Sequence, residues 1–511
     1  MMGVLVSKKV EENKYGSVDS NNEKEKNMVV NEKVASESEQ NNLSGRLNGL
    51  RVLEDAQEGS MLNSESLGKW EKEFSNDRTK LLAQNALGGN LANKVVGLSD
   101  AKVKNESRHL FNNEVEIVGS PSHLNNQRSS GRCWIFATCN VIRSRIIKNY
   151  NLKDDEFQLS QSYLYFYDQL EKANFFLENV LETTDQDLSS RVVNFLFLTP
   201  TNDGGQWDMI INVINKYGLV PYEIFPDNAQ TSNTRSLGFF INEKLREYGL
   251  ILRNLKSEAV SRNTIYSVKN SMVKEVYEIL AAFIGTPPKP NDAFTWEFKD
   301  KNGAYKSYDT TPSRFYVDHA QYDVSNFFSL INDPRNSYEA LYTVDRLNNV
   351  KEGKPVEYVN ADISILKEST IKMIKDNEPV FFGCDVGKFG ERDTGVLDTN
   401  AFDYALAFGT SINNNKAQRL QTGSSQMTHA MVITGVHLDP KTKKPLRWKI
   451  ENSWGADVGD KGYYVMTDAW FDQYVFQVVT NKKYVEKKLY NIWKEKKYNI
   501  LPIYDPMGSL A

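Results

Sequence analysis

The apolar residues of this chain follow one spacing behind Cys133 and another after Asp376. Trp134, Ile135, Ala137, Val141, Ile142, Ile146 and Ile147 recur at helical intervals, and a second helix candidate runs from Ser160 through Leu181. After Asp376 the runs become short and strand-like. Val380 to Cys384 reads as a buried strand, Met427 to Leu438 as a longer one and Leu446 to Asn452 as another. Between these regimes, from about residue 230 to 370, helical patterns give way to Gly285-Thr286-Pro287-Pro288-Lys289-Pro290, which breaks any helix. Phe294-Thr295-Trp296-Glu297-Phe298 then alternates like a strand. This middle region carries no catalytic cluster and reads as an accessory or assembly element.

The 511 residues suffice for two or more domains, and 40% hydrophobic with 25% charged residues is ordinary for a soluble globular protein. The longest apolar stretches, such as Val192 to Leu198, fall far short of the roughly 20 residues of a membrane span. A net charge of −4 supplies no global field for nucleic acid. Three cysteines without an apolar secretory leader point to a reducing compartment, with cytosol as the default. Before Trp70 the only aromatic is Tyr15, and runs such as Asn21-Asn22-Glu23-Lys24-Glu25-Lys26 cannot bury enough surface to order themselves, so residues 1–63 read as disordered. Met2-Gly3-Val4-Leu5-Val6-Ser7 fits N-myristoylation of Gly3 if translation starts at Met2, a short pattern that arises easily by chance. Early Glu11 and Glu12 and the lack of Arg argue against a mitochondrial leader.

Cys133 sits where a loop, Gln127-Arg128-Ser129-Ser130-Gly131-Arg132, turns into a helix. Unpaired amide N–H groups and the positive end of the helix dipole favour a thiolate there, and the thiolate is the nucleophile. Asp203-Gly204-Gly205-Gln206-Trp207 is a loop whose glycines permit close approach of another backbone, or simply a turn before a helix over Asp208 to Tyr217. The turn residues Asp439 to Pro445 suggest a hairpin centred near Lys441. That register sets His429 beside Asn452, within about 5 Å at Cβ. A carboxamide oxygen next to an imidazole holds its tautomer and orientation, leaving the other nitrogen to take a thiol proton. His437 lies too far along the same strand to share a metal with His429, and His109, His123 and His319 show no ligand spacing with a cysteine. No metal or cofactor is expected.

Gln127, Cys133-Trp134, His429 and Glu451-Asn452-Ser453-Trp454-Gly455 followed by Gly459, Gly462 and Tyr463 resemble the signature of papain-like cysteine peptidases. Within that clan the chain is most similar to the bleomycin hydrolase family of cytosolic cysteine aminopeptidases. The likeness rests also on Gly285 to Phe298, Leu341-Tyr342-Thr343-Val344, Gly383 to Lys388, Met427 to Met431 and the end Asp505 to Ala511, and spans roughly 64 to 511. Secreted papain-type relatives carry Cys-Gly-Ser/Ala-Cys around the nucleophile. Here Ser130-Gly131-Arg132-Cys133 lacks the upstream cysteine, as suits a reducing compartment. The Cys133 to His429 separation also exceeds the usual roughly 130 to 150 residues by about 150.

The resemblance implies an α+β fold: a papain-like helical lobe over 64–230 carrying Cys133, inserted helical and hook elements over 231–370, a β-barrel-like lobe over 371–480 carrying His429 and Asn452, and a C-terminal arm, 481–511. It implies Cys133 as nucleophile, ion-paired at rest with an imidazolium at His429 and so lowered in pKa, with Asn452 orienting the ring and Trp454 shielding it. Gln127 and the Cys133 N–H form the oxyanion hole, and the Gly204-Gly205 loop lines the cleft and pairs with substrate backbone. Cys139 and Cys384 are dispensable. The tail lies in the cleft, where the Ala511 carboxylate pairs with the free α-amino group of a peptide substrate; some relatives carry one more residue that is trimmed off. The assembly implied is a homohexamer, and amide hydrolysis of bleomycin is implied as well. Two alternatives stand beside this reading: an endopeptidase of the same fold, or a single-stranded DNA- or RNA-binding protein using Lys482, Lys483, Lys487, Lys488, Lys494, Lys496 and Lys497 interleaved with Tyr484, Tyr490 and Trp493.

Overall fold

A computed structural model of the protein describes residues 62–97, 108–116, 125–153 and 157–510. The Gly3 pattern and almost all of the polar head lie outside the described residues. Two compact units are present: one joins the described residues up to Val95 to 404–413, and the other contains those of 96–403 and 414–510. The smaller holds helices α1 (Ser64–Asn76) and α2 (Arg78–Gly89). Asn63 caps the first by accepting from the Glu65 N–H, and Asp77 caps the second by accepting from Thr79 and Lys80. Neither helix buries a residue, so all of the chemistry below belongs to the larger unit.

There the chain runs through α3 (Cys133–Tyr150), α4 (Gln161–Glu182), α5 (Trp207–Tyr217), α6 (Arg235–Ser257) and α7 (Arg262–Ile284). Ser160 caps α4 through its hydroxyl, and the Tyr163 to Tyr167 run behind it is core throughout. Gly285 ends α7 at φ 102°, a conformation that disfavours a side chain, and the prolines that follow prevent its resumption. The predicted Phe294 strand is the first arm of a hairpin, β1 (Phe294–Lys299) and β2 (Tyr305–Thr310). Its Trp296 is buried among Tyr150, Phe157, Phe298, Tyr308, Phe315 and His319.

The strands β3 (Phe327–Ile331), β4 (Ala340–Val344), β5 (Tyr358–Asn360), β6 (Val380–Cys384), β7 (His429–Leu438), β8 (Pro445–Glu451), β9 (Tyr463–Thr467), β10 (Val475–Asn481) and β11 (Tyr498–Leu501) form one sheet. Their order is β11-β4-β5-β3-β10-β6-β7-β8-β9, extended by Val396–Leu397 and Gly390–Glu391, while Asn113–Glu114 pairs with β7. Nearly every residue of β7 is buried, because strands flank it on both edges and α3 packs across it. This is an α+β arrangement with the helix that starts at Cys133 laid on the strand that starts at His429.

The middle region is more than an insertion. β3, β4 and β5 fall within 231–370 yet supply three strands of the sheet, β3 pairing antiparallel with β10 and parallel with β5. Sequence patterning missed them because short buried strands carry no period of their own. Phe328 on β3 is fully buried and stacks on Trp493, with ring centroids 5.1 Å apart. Phe328→Ala is expected to cost about 3–5 kcal/mol, read as a lower urea midpoint of the main unfolding transition; an unchanged midpoint would mark this region as an appendage.

Candidate active site

Cys133 is the first residue of α3, as its sequence setting predicts. What fixes the turn ahead of it is buried charge. Arg132, wholly inaccessible, donates to both carboxylate oxygens of Asp227 at 2.9 and 3.2 Å and to Ser162 Oγ at 3.3 Å. Asp203 holds the neighbouring residues from the other side: its carboxylate accepts from the Gly131 N–H at 3.0 Å and its carbonyl from Trp134 Nε1 at 2.7 Å.

His429 and Asn452 meet, though not by the register expected. Asp439 N–H donates to the Lys444 carbonyl, so the turn is centred between Lys441 and Thr442 rather than on Lys441. The ladder then pairs Val432 with Glu451 and ends there, while His429 faces Cys384 on β6 instead. Asn452 is thus a diagonal neighbour of His429, a distance long side chains still span. The contact is 2.9 Å between His429 Nε2 and Asn452 Oδ1. The same oxygen accepts from the Ser453 N–H at 2.8 Å, which identifies it as the carbonyl and places the imidazole proton on Nε2. Nδ1 keeps its lone pair for a thiol proton.

Ser453 is a site residue that sequence reasoning quoted but gave no role. Its Oγ donates to Gln127 Oε1 at 2.6 Å, its carbonyl accepts from the Gln127 N–H at 2.8 Å, and Gln127 Nε2 donates to the Ser130 carbonyl at 2.6 Å. These bonds fix which way the amide faces, with one Nε2 hydrogen left over at a cleft it shares with Cys133 and His429. Trp454 covers the imidazole at a centroid distance of 4.9 Å.

The surroundings of the sulfur act against the expected thiol lowering. Cys133 is 2% exposed, and burial pushes its thiol up to about 11, opposed by the backbone N–H groups of Ala430, Trp134 and Cys133 itself. Burial likewise pushes the His429 imidazole down to about 4, opposed by the Asn452 hydrogen bond. With the thiol held up and the imidazole held down by burial, charge on either group is favoured when the other carries the opposite one.

The Peptidase C1-like family model matches residues 61–508. Cysteine proteinase 1, mitochondrial, from Saccharomyces cerevisiae is 40% identical over 457 residues, covering 88% of this chain and 93% of the yeast protein. Bleomycin hydrolase from Mus musculus is 40% identical over 459 residues, covering 88% and 99%. The crystal structure of PepW from Lactobacillus rhamnosis superposes with a TM-score of 0.84 at 40% identity, covering 88% of this chain and all of that one. The chain belongs to the Peptidase C1-like family. It is a papain-like cysteine peptidase.

The cleft of this peptidase, about 470 Å³, is lined by Gln127, Cys133, Gly204 and His429 and, from the C-terminal tail, by Ser509 and Leu510. Ala511 lies outside the described residues. Gly204 reaches the cleft, but its carbonyl already accepts from Lys172 Nζ at 2.6 Å, as does that of Asn202 at 2.9 Å. Gly205 is buried beside it. A Cβ there would come within 2.5 Å of the Trp134 indole, so its glycine serves packing. Among the described residues no three histidine, cysteine or acidic side chains converge as metal ligands. Of the aromatics in the lysine-rich run, Tyr484 and Trp493 are buried and Tyr490 is half-buried, while Lys483, Lys488 and Lys496 pair with Asp376, Glu339 and Glu357. No described helix is long and apolar enough to cross a membrane.

Behind the cleft, Arg143 on α3 and Glu451 at the end of β8 form a buried ion pair of 2.7 Å. Asn125 donates to Glu451 Oε1 and to the Asn452 carbonyl, at 3.3 and 3.0 Å. The sequence signal was an arginine on an otherwise apolar helix face. Cys384, at the end of the strand read from Val380, is opposite His429 in the ladder. Arg143→Met leaves Glu451 buried and unpaired and is expected to cost about 3–5 kcal/mol, with the double variant Arg143→Met/Glu451→Leu recovering much of it in chemical denaturation; equal stability of wild type and single variant would contradict the pairing.

Proposed function

We propose that this cysteine peptidase is an aminopeptidase acting on free peptide N-termini. The single observation that carries the reading is the tail: Ser509 and Leu510 border the cleft beside Cys133 and His429, where residues preceding a scissile bond would otherwise extend. A terminal carboxylate following Leu510 would complement a substrate ammonium group and exclude longer chains. The name bleomycin hydrolase, borne by the mouse relative, supports the same substrate class and the amide of bleomycin among its members.

In this mechanism His429 Nδ1 takes the Cys133 proton, and Sγ attacks the carbonyl carbon. The resulting oxyanion accepts from the Cys133 N–H and the free Gln127 Nε2 hydrogen, donors worth about 2.7–4 kcal/mol each in comparable sites. The imidazolium protonates the departing amine, leaving a thioester. His429 then takes a proton from water, whose oxygen attacks the acyl carbon, and returns it to the sulfur as the carboxylic product leaves. Asn452 keeps the ring aimed throughout, under the cover of Trp454.

Self-association to a homohexamer and a cytosolic location belong to the same proposal. Phe239 and Leu198, 67% and 63% exposed, are apolar surface that an assembly would cover. The yeast relative is named mitochondrial, so cell fractionation is the measurement for location. Single-stranded nucleic-acid binding would need a stacking face other than Tyr484 and Trp493.

Cys133→Ala is expected to abolish hydrolysis of aminoacyl fluorogenic substrates without changing the fold by circular dichroism. The active pair shares one proton, so acid inactivates by adding a second proton to His429, and base by removing the shared one. With the imidazole held down and the thiol held up, kcat/KM is expected to form a plateau from about pH 5 to beyond about pH 8.5; an acid limb at 6.5 or above would contradict the assignment. Removing residues 508–511 is expected to raise cleavage of N-acetylated peptides relative to free ones by at least about tenfold. No shift in that ratio would overturn the aminopeptidase reading in favour of an endopeptidase.

A further inference from the structure

Gln206 occupies the N-cap of α5, and its carbonyl accepts from the Met209 and Ile210 N–H groups at 3.1 and 3.2 Å. Serine, threonine, aspartate or asparagine is favoured at such a position because the side chain can cap. The Gln206 side chain makes no capping bond. It is wholly buried and points to the tail instead, with Nε2 donating to the Ser509 carbonyl at 2.7 Å. Ser509 completes the clasp, its Oγ donating to the Met427 carbonyl at 2.8 Å, two residues before His429.

The tail needs such a hold. Further back, Asp505 is fixed by Arg335 at 2.8 Å, and Met507 is buried. Beyond Met507, Ser509 and Leu510 border both the catalytic cleft and a second cavity of about 410 Å³. A tail end without a hold could shift from the one toward the other. The Gln206 bond fixes the last carbonyl before Leu510 against the loop whose preceding residues, Asn202 to Gly204, form the cleft wall.

We propose that Gln206 is a positioning residue that holds the tail at a set depth in the cleft and thereby sets how many substrate residues can precede the scissile bond. This rests on the aminopeptidase reading above. Gln206 touches no reacting atom; its amide reaches the tail and, more weakly, Met427 Sδ at 3.9 Å.

The test uses Gln206→Met, which keeps length and removes the donor, in the full chain and in a chain ending at Met507. kcat/KM is measured for matched free and N-acetylated peptides. In the full chain the acetylated-to-free ratio is expected to rise about fivefold to tenfold, the effect of one lost hydrogen bond on tail occupancy. In the truncated chain the substitution should leave the ratio unchanged, because there is no longer a tail to hold. Gln206→Asn, which withdraws the amide by one methylene, should reproduce the shift and serves if the methionine variant folds poorly. If truncation raises the ratio and neither variant does, the positioning role is overturned while the aminopeptidase reading stands. If truncation itself leaves the ratio unmoved, that reading falls. An equal loss of activity in both chains at constant ratio would mean that Gln206 is merely structural.

Discussion

The buried pair of Arg143 and Glu451 governs the geometry of everything above it. Each ion gives up hydration worth several kcal/mol, and only a close, well-aligned partner offsets that loss. The two sit on different elements, α3 and β8, so the contact fixes how far the helix may slide or turn on the sheet. Cys133 lies about 15 Å up the same helix, and Asn452 follows Glu451 directly. Asn125, bonded to Asn140 on α3 as well as to Glu451 and the Asn452 carbonyl, ties the same point a second time. The cleft is therefore aligned from its far end, by groups that no substrate reaches.

At the near end, burial and helix position act in opposite directions. The start of α3 offers amide N–H groups to the sulfur, yet almost no water reaches it, and burial prevails. The consequence is a nucleophile without a standing net charge. Proton transfer between Cys133 and His429 creates two charges of opposite sign at once, which a dry site tolerates far better than either alone. Because that balance depends on ring orientation, the bonds converging on Asn452 Oδ1 and the Ser453 contacts to Gln127 belong to one unit: Ser453 donates its N–H to the first and its hydroxyl to the second.

The helix beginning at Cys133 was legible because both its apolar spacing and its loop-to-helix transition are local. So was the pairing of His429 with Asn452, although the register was wrong. The contact survived because a diagonal neighbour in a ladder is still within side-chain reach, whereas the turn centre depends on local bonds of Asp439 with Lys443 and Lys444. What sequence could not give is non-local. Parallel pairing of β3 with β5 joins segments that have β4 between them in the chain, and short buried strands carry no period of their own. Gly204 and Gly205 look identical in the chain. Only the Trp134 indole distinguishes the one that packs from the one that lines the cleft.

The loop at 202–206 shows how a papain-like cleft can be narrowed without adding mass to it. Lys172, itself buried against the Trp134 face at 5.1 Å and paired with Asp168, draws the carbonyls of Asn202 and Gly204 toward α4. Those two acceptors are then already engaged when an extended peptide would need main-chain partners along this wall. The loop ends in Gln206, whose amide holds the tail in the same space. Under the proposed function the tail beside the cleft limits substrate length, and Lys172 engages two carbonyls of the adjoining loop. Under the same proposal, displacing the tail is the step that opens the cleft to longer peptides, with the Lys172 bonds keeping the loop beside it in place.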